Sequence, residues 1–151
     1  MHVQMFIGAL QRQERSLGDG LSKLARHHVD EPGLASVATK LARWSHAHVA
    51  ALDGAAGRYA AHPPFDLKLF VSALFAGPRT GQLGLLQDLQ ELILLAGEVQ
   101  LGWALVGQAA RALRDHELIA LAKTLPTETE RQKEWLETRI KAAAPQTLVV
   151  G

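Results

Sequence analysis

The chain has 151 residues, 48% of them hydrophobic, with 16 basic and 15 acidic side chains and no cysteine. This length fits one domain over residues 1–151, and charges of both signs without a long block give no footprint for nucleic acid or an anionic membrane. The lack of cysteine excludes disulfide frameworks, thiolate metal sites and cysteine nucleophiles. The N-terminal segment has no basic stretch followed by a long apolar core, so we expect a mature cytoplasmic protein.

The first part of the chain predicts two amphipathic helices. Leu10, Leu17 and Leu24 recur at heptad spacing between residues 6 and 29, and the sequence DEPG at 30–33 stops this helix. The second helix has its inner face at Leu34, Val37, Leu41, Trp44, His48, Leu52, Ala55 and Tyr59. Because the connection between them is short, we expect the two helices to pack antiparallel.

The stretch 92–107, LILLAGEVQLGWALVG, lies inside a pattern that predicts a central helix from about Gln82 to Arg114. A helix that is apolar nearly all round must be enclosed by other helices or by lipid, and this stretch falls short of the roughly 20 residues that span a bilayer. We therefore place it inside a helical bundle. Glu98 is then conspicuous, because an ionised carboxylate in an apolar interior costs several kcal/mol unless it is paired, protonated or metal-bound.

The remaining segments complete an all-α architecture. Residues 65–81 predict a long crossover with about two helical turns. A last helix is predicted from His116 to Ala144, with a kink at Pro126, and the apolar tail at 146–151 is expected to lie back on the body. The expected fold is a four-helix bundle made of two antiparallel helix hairpins joined by the long crossover.

Two segments carry a resemblance to a known family. The segment 128–140, ETERQKEWLETRI, resembles the last helix of the ferritin-like superfamily, especially its bacterioferritin and rubrerythrin branch. The segment 94–105, LLAGEVQLGWAL, is similar to the third helix of that family, whose single carboxylate bridges two irons. The predicted connectivity is also that of ferritin-like bundles. The resemblance covers nearly the whole chain and implies a ferritin-like domain.

The resemblance implies a di-iron ligand set that the first three helices keep in part. Glu14 matches the carboxylate of the first helix, and Glu98 matches that of the third. On the second helix His48 matches the histidine of a Glu-x-x-His pair, but Ser45 holds the carboxylate position. Other interpretations stay open: Glu98 as a neutral core carboxyl or a residue on a wetter face, Glu14 as a partly exposed position, and His48 as a hydrogen-bonded core histidine.

The fourth helix departs further from the family pattern. Counting back from Trp135, both positions of its Glu-x-x-His pair hold neutral side chains, Thr129 and Gln132. A di-iron centre needs about six carboxylate and imidazole ligands, and neutral oxygens cannot offset the charge of two cations. We therefore expect no metal, no cofactor and no catalytic residue, with Glu14, His48 and Glu98 as the remnant or alternative metal site.

These residues lead to a hypothesis about the bundle centre. We expect a metal-free polar cluster in which a hydroxyl and an amide donate to carboxylates that no longer face a cation, formed by Glu14, His48, Glu98, Thr129 and Gln132. The expected function is that of a non-catalytic binding or structural protein. The alternatives are an iron-binding protein or di-iron oxidoreductase with an atypical ligand set, and a small hydrophobic-ligand binder that uses the space the metals would fill.

The central helix also predicts self-association. Ferritin-like bundles commonly bury a helix face in a dimer, and this helix has more apolar surface than three neighbours readily cover. We expect a homodimer, with neither nucleic acid nor a membrane as a partner. The alternative is that the crossover and the C-terminal tail cover the apolar surface within one chain. The sequence names no partner protein.

Overall fold

The structure, a computed structural model, describes residues 2–60 and 79–150, and these residues form an all-helical bundle. The helices are α1 (Val3–His27), α2 (Leu34–Arg58), α3 (Gly81–Leu113), α4 (His116–Thr124) and α5 (Pro126–Pro145). Together α4 and α5 take the place of the predicted last helix, which is interrupted directly before Pro126, where the sequence predicted a kink. The described part is therefore a four-helix bundle with an interrupted fourth member.

Side-chain contacts define the direction of each helix. Gln11 on α1 bonds to Asp53 on α2, whereas Asp19, further along α1, bonds to His46, so these two helices are antiparallel as predicted. Contacts of the same kind show that α1 is antiparallel to α3. They also show that α4 and α5 together are antiparallel to α2 and to α3. Because α2 and α3 are both antiparallel to α1, they run in the same direction. The predicted crossover lies, except for residues 79–81, outside the described residues.

The core consists of apolar side chains at helical spacing on the facing sides of the helices. The predicted leucine series of α1, Leu10, Leu17 and Leu24, is fully buried, and Leu41 and Leu52 of α2 are buried with it. Fully burying one such side chain contributes roughly 1.5–3 kcal/mol relative to leaving it in water. The inner face of α1 and the leucine positions of α2 predicted from the sequence are therefore confirmed.

Helix α3 is apolar on both its inner and its outer side. Its inner side is buried, and the outer side exposes Leu83, Leu94, Leu101 and Leu105 by 58%, 63%, 62% and 46%. Among the described helices α3 alone is long and apolar enough to cross a membrane, a test that core helices of soluble proteins also pass. Since α3 has 33 residues, the argument that its apolar stretch is too short for a bilayer does not hold.

Polar contacts join the end of α2 to the turn between α3 and α4. Asp115 accepts hydrogen bonds from Arg58, from the Tyr59 hydroxyl and from the Leu118 backbone N–H, which caps α4. Burial alone would raise the pKa of Asp115, but these hydrogen bonds outweigh it and lower the pKa below its ordinary value. After α5 the tail forms a short π-helix (Gln146–Val150) that contacts α3, as expected of a tail that lies back on the body. Its three apolar side chains, Leu148, Val149 and Val150, stay exposed.

Two glycines of α3 differ in the space around them. A Cβ added at Gly107 would lie 3.2 Å from the Cβ of Ala122, so this glycine allows α3 and α4 to approach closely. A Cβ added at Gly97 would meet nothing within 4 Å. The same substitution at these two positions therefore changes the packing in one case and only the helix propensity in the other.

We predict that Gly97→Ala raises the free energy of unfolding by about 0.5–1 kcal/mol, because alanine loses less backbone entropy in a helix. Gly107→Ala gains the same propensity but forces α3 and α4 apart, and overpacking typically costs about 1–3 kcal/mol. Urea unfolding should therefore show Gly107→Ala to be the less stable variant of the two. Equal stability of the two variants would contradict the prediction, because it would mean that α3 and α4 can move apart without a cost in free energy.

Candidate functional site

The candidate site is built around Glu14, a fully buried carboxylate in the middle of α1. It lies on the leucine face of the helix, one turn from Leu10 and Leu17, so its position follows from the same periodicity. Its Oε1 accepts a hydrogen bond of 2.8 Å from His48 Nδ1 on α2 and one of 2.7 Å from Trp103 Nε1 on α3. Glu14 therefore joins three helices through one oxygen atom.

The contacts of Glu14 also determine the tautomer of His48. An indole N–H can only donate, so Glu14 Oε1 acts as an acceptor towards Trp103, and in its carboxylate form it also accepts from His48, whose proton then lies on Nδ1. His48 Nε2 has no hydrogen-bond partner within the described residues. The nearest carboxylate is that of Glu128, a partly exposed residue of α5, whose Oε1 lies 3.8 Å from Nε2. The Trp103 ring also packs edge-on against the imidazole.

Helix α5 contributes the two neutral residues that the sequence placed at metal-ligand positions. Thr129 and Gln132 are both fully buried on its inner face, one helical turn apart. Gln132 Nε2 donates to the Leu41 carbonyl and to Ser45 Oγ on α2, with both bonds at 2.8 Å. The hydroxyl of Thr129 has no partner in the part of the chain that the structure describes. The predicted inward direction of these two side chains is thus observed.

Glu98 is only half-buried and is separate from the other four predicted members of the cluster. Its carboxylate forms no hydrogen bond or ion pair with a described residue, so contacts do not join it to Glu14 or His48. Trp103 follows it by five residues, a rotation of about 140° around the helix, and it is the indole that points into the centre. An aromatic residue at an inner position of a bundle is expected to be a core residue, and the sequence carries no signal that Trp103 donates to Glu14.

A second buried polar group lies about 21 Å further along α1. His28 Nε2 and Asp88 Oδ2 are 2.7 Å apart, both side chains are buried, and Arg79 approaches the other oxygen of Asp88 at 3.5 Å. From the sequence, His28 is expected only to lie next to the end of α1, where a cation near the last carbonyl groups is favourable. The missed signal was Asp88, a charged residue at a position of α3 whose neighbours are all apolar or amide side chains.

The arrangement around Glu14 offers few ligands to a metal. Among the described residues no group of three or more histidine, aspartate and glutamate side chains is placed to hold a metal ion. The reason is geometric, because Glu14 lies at the Nδ1 side of His48 and Glu128 at its Nε2 side, so the two carboxylates face different edges of one imidazole ring. The site can exchange protons and hydrogen bonds, and its buried oxygens can receive donors.

No family model, curated protein or solved structure matches the chain. The structure itself defines the class of protein: an all-helical four-helix bundle with a buried carboxylate–imidazole–indole group at its centre.

We predict that the stability of the protein depends on the ionisation of Glu98. Burial raises the pKa of this carboxyl above its ordinary 4.5, so the stability it contributes is present below that pH and is lost as the pH rises through the higher folded-state pKa. At pH 7 Glu98→Gln should unfold at a higher urea concentration than the wild type, and the gain should disappear near pH 4. Glu130→Gln, at an exposed position of α5, serves as the control. A less stable Glu98→Gln at pH 7 would contradict the prediction.

Proposed function

We propose that the protein is a cytoplasmic ferritin-like bundle in which a polar cluster takes the place of the di-iron centre, and that it acts as a non-catalytic binding or structural protein. The observation that carries the proposal is the pairing of Glu14 Oε1 with both His48 and Trp103. In this pairing Glu14 Oε1 and His48 Nδ1 are hydrogen-bonded within the protein, although a metal centre would need such an oxygen and such a nitrogen as ligands.

The helix directions support the ferritin-like part of the proposal. The end of α2 contacts the start of α4, whereas the start of α3 lies by the end of α1, so α2 ends and α3 begins at opposite ends of the bundle. Two antiparallel hairpins with parallel second and third helices are the arrangement that a long crossover produces. Glu14 and His48 also occupy the inner positions that match the family's first-helix carboxylate and second-helix histidine.

The side chains at the other ligand positions do not fit a di-iron centre. Ser45, Thr129 and Gln132 are neutral, and Gln132 already donates to Ser45. Glu98, the expected bridging carboxylate, makes no contact with the cluster. Two cations in the interior need several carboxylates to offset their charge, and among the described residues Glu14 is the one buried acidic side chain at this level of the bundle.

The competing function is that of an iron-handling protein with an atypical ligand set. The observation that favours it is that Glu14 Oε2 and His48 Nε2 are buried and unpartnered among the described residues. Either atom is chemically able to ligate iron, and Glu128 is close enough to approach the same imidazole. These three residues would be the ones to hold a metal.

Metal retention separates the two functions. We predict that protein incubated anaerobically with ferrous iron and then desalted keeps well under one iron per chain, because the ligand set cannot offset the charge of two cations. A ferritin-like protein with a complete ligand set, treated in parallel, provides the positive control. About two irons per chain, lost in a His48→Ala variant, would overturn the proposal and establish the iron-handling function.

A groove of 350 Å³ bears on the third alternative, a hydrophobic-ligand binder. It lies between the start of α1 and the end of α3 and is lined by His2, Val3, Phe6, Leu105, Ala109, Ala112 and Leu113. The groove is away from the polar cluster, so a ligand there would not use the space that the metals occupy in the family. Its apolar lining suits an alkyl or aromatic group.

We further propose that the protein forms a homodimer through the outer face of α3. Between Leu83 and Leu105 this face exposes four leucines, and the positions between them are mostly glutamine, glycine and alanine. An exposed stripe of this length, with charged side chains only at its edge, where Glu91 and Glu98 are partly buried, is typical of a surface that is buried against a partner. A two-fold axis across it would pair the same leucines of both copies.

The dimer predicts a mass of twice 16.4 kDa in sedimentation at micromolar concentration. Leu101→Glu should shift the protein to a single chain, because it places two charges opposite each other in the shared face. Leu148→Glu, at an exposed position of the C-terminal tail, should leave the dimer intact. A wild-type mass near one chain would refute the dimer, and recovery of the protein with lipid vesicles would indicate that α3 faces a membrane instead.

A further inference from the structure

Four buried polar atoms in the centre of the bundle lack a hydrogen-bond partner among the described residues. They come from three helices and are Glu14 Oε2, His48 Nε2, Thr129 Oγ1 and Gln132 Oε1. Unpartnered polar atoms in a folded interior are uncommon, because each loses its hydrogen bonds to water without replacement. Four of them in one region therefore require a physical explanation.

The four atoms lie within two adjacent helical turns of the bundle. Glu14 is hydrogen-bonded to His48, and Glu128, the neighbour of Thr129, lies 3.8 Å from His48 Nε2. Gln132 is one turn from Thr129 on α5 and bonds to Ser45, which is one turn from His48 on α2. The antiparallel pairing of α2 and α5 thus brings all four residues to the same level, with Trp103 closing the side towards α3.

The hydrogen bonds already made define the chemistry of the four free atoms. Gln132 must present its NH₂ group to the Leu41 carbonyl, which can only accept, so its free atom is the amide oxygen. His48 donates from Nδ1, so its Nε2 is an acceptor in the neutral ring. Glu14 Oε2 is an acceptor as well, and the Thr129 hydroxyl can donate or accept. The group therefore has an excess of acceptors.

We infer that these four atoms form an internal binding site for one small hydrogen-bond donor, either a water molecule or an ammonium ion. A water donates twice and accepts once, and about three hydrogen bonds is the usual number for a buried water. An ammonium ion donates four times and would also offset the charge of Glu14. An anion or a pure acceptor has no place here, because three of the four atoms would repel it.

The inference rests on the proposed function, since a metal centre would compete for the same atoms. The two proposals nevertheless fail separately: iron retention tests the function, and donor binding tests the site. A chain that retains no iron and holds no internal donor would leave the proposed function intact and remove this inference alone.

Binding of an ammonium ion is tested by comparing thermal unfolding in ammonium chloride with thermal unfolding in sodium chloride at equal ionic strength. If ammonium binds the folded protein, the midpoint should rise by about 3–6 °C once its concentration exceeds the dissociation constant tenfold. The rise should be lost in Thr129→Val, which removes a hydroxyl without removing a hydrogen bond. Thr138→Val, an exposed threonine of α5, should keep it.

Binding of a water molecule is tested by counting long-lived internal waters with oxygen-17 relaxation dispersion in sodium chloride. The wild type should hold one more such water than the double variant Thr129→Val with Gln132→Leu, and Thr138→Val should match the wild type. If the double variant does not fold, the comparison is made with Thr129→Val alone. An unchanged water count together with no ammonium effect would overturn the inference.

Discussion

Burial of the Glu14 carboxylate is the constraint on which the arrangement of the helices depends. The residue is fully enclosed, so it loses its hydration and is stabilised by the hydrogen bonds it receives from His48 and Trp103. Removing one of these donors leaves the buried oxygen short of a partner, and a lost hydrogen bond to a carboxylate costs about 1.5–3 kcal/mol. One oxygen atom therefore defines the relative positions of α1, α2 and α3. Apolar contacts alone would allow these helices a wider range of positions.

Polar contacts recur at three levels along the bundle and define its register. Arg58 and Asp115 join α2 to the start of α4 at one end, Glu14 lies at the centre, and His28 pairs with Asp88 at the other end. Each pair connects different helices, so a slip of one turn in any helix would separate a charged partner from its counterpart. A leucine core is less sensitive to such slips, because apolar side chains of neighbouring turns can replace one another without leaving a charge unpaired. The polar pairs thus supply the specificity that the apolar core lacks.

The outline of the fold could be predicted from the sequence because its signals are local. Heptad leucines in α1, the DEPG stop, the interruption before Pro126 and the four-helix count each depend on a few neighbouring residues. The orientation of α3 could not be predicted in the same way. Leucines cover both its inner and its outer side, so the apolar periodicity that identifies a buried face in α1 gives no direction there. Glu98, the charged residue inside the apolar stretch 92–107, was taken as the landmark of the inner face, but it lies on a half-buried side of the helix.

The sequence by itself determined that His48, Thr129 and Gln132 point inward, because each lies at helical spacing from apolar residues on its own helix, and it left Glu14 open between an inner and a partly exposed position. Only the tertiary structure decided which of them touch. Hydrogen bonds between residues 34, 87 or 89 positions apart depend on how whole helices pair, and no local pattern encodes that pairing. The pairing of whole helices also explains why the side chain of α3 at the centre is Trp103 and not Glu98, as the sequence suggested. The two differ by about 140° around one helix, and the neighbours that select between those directions lie on other helices.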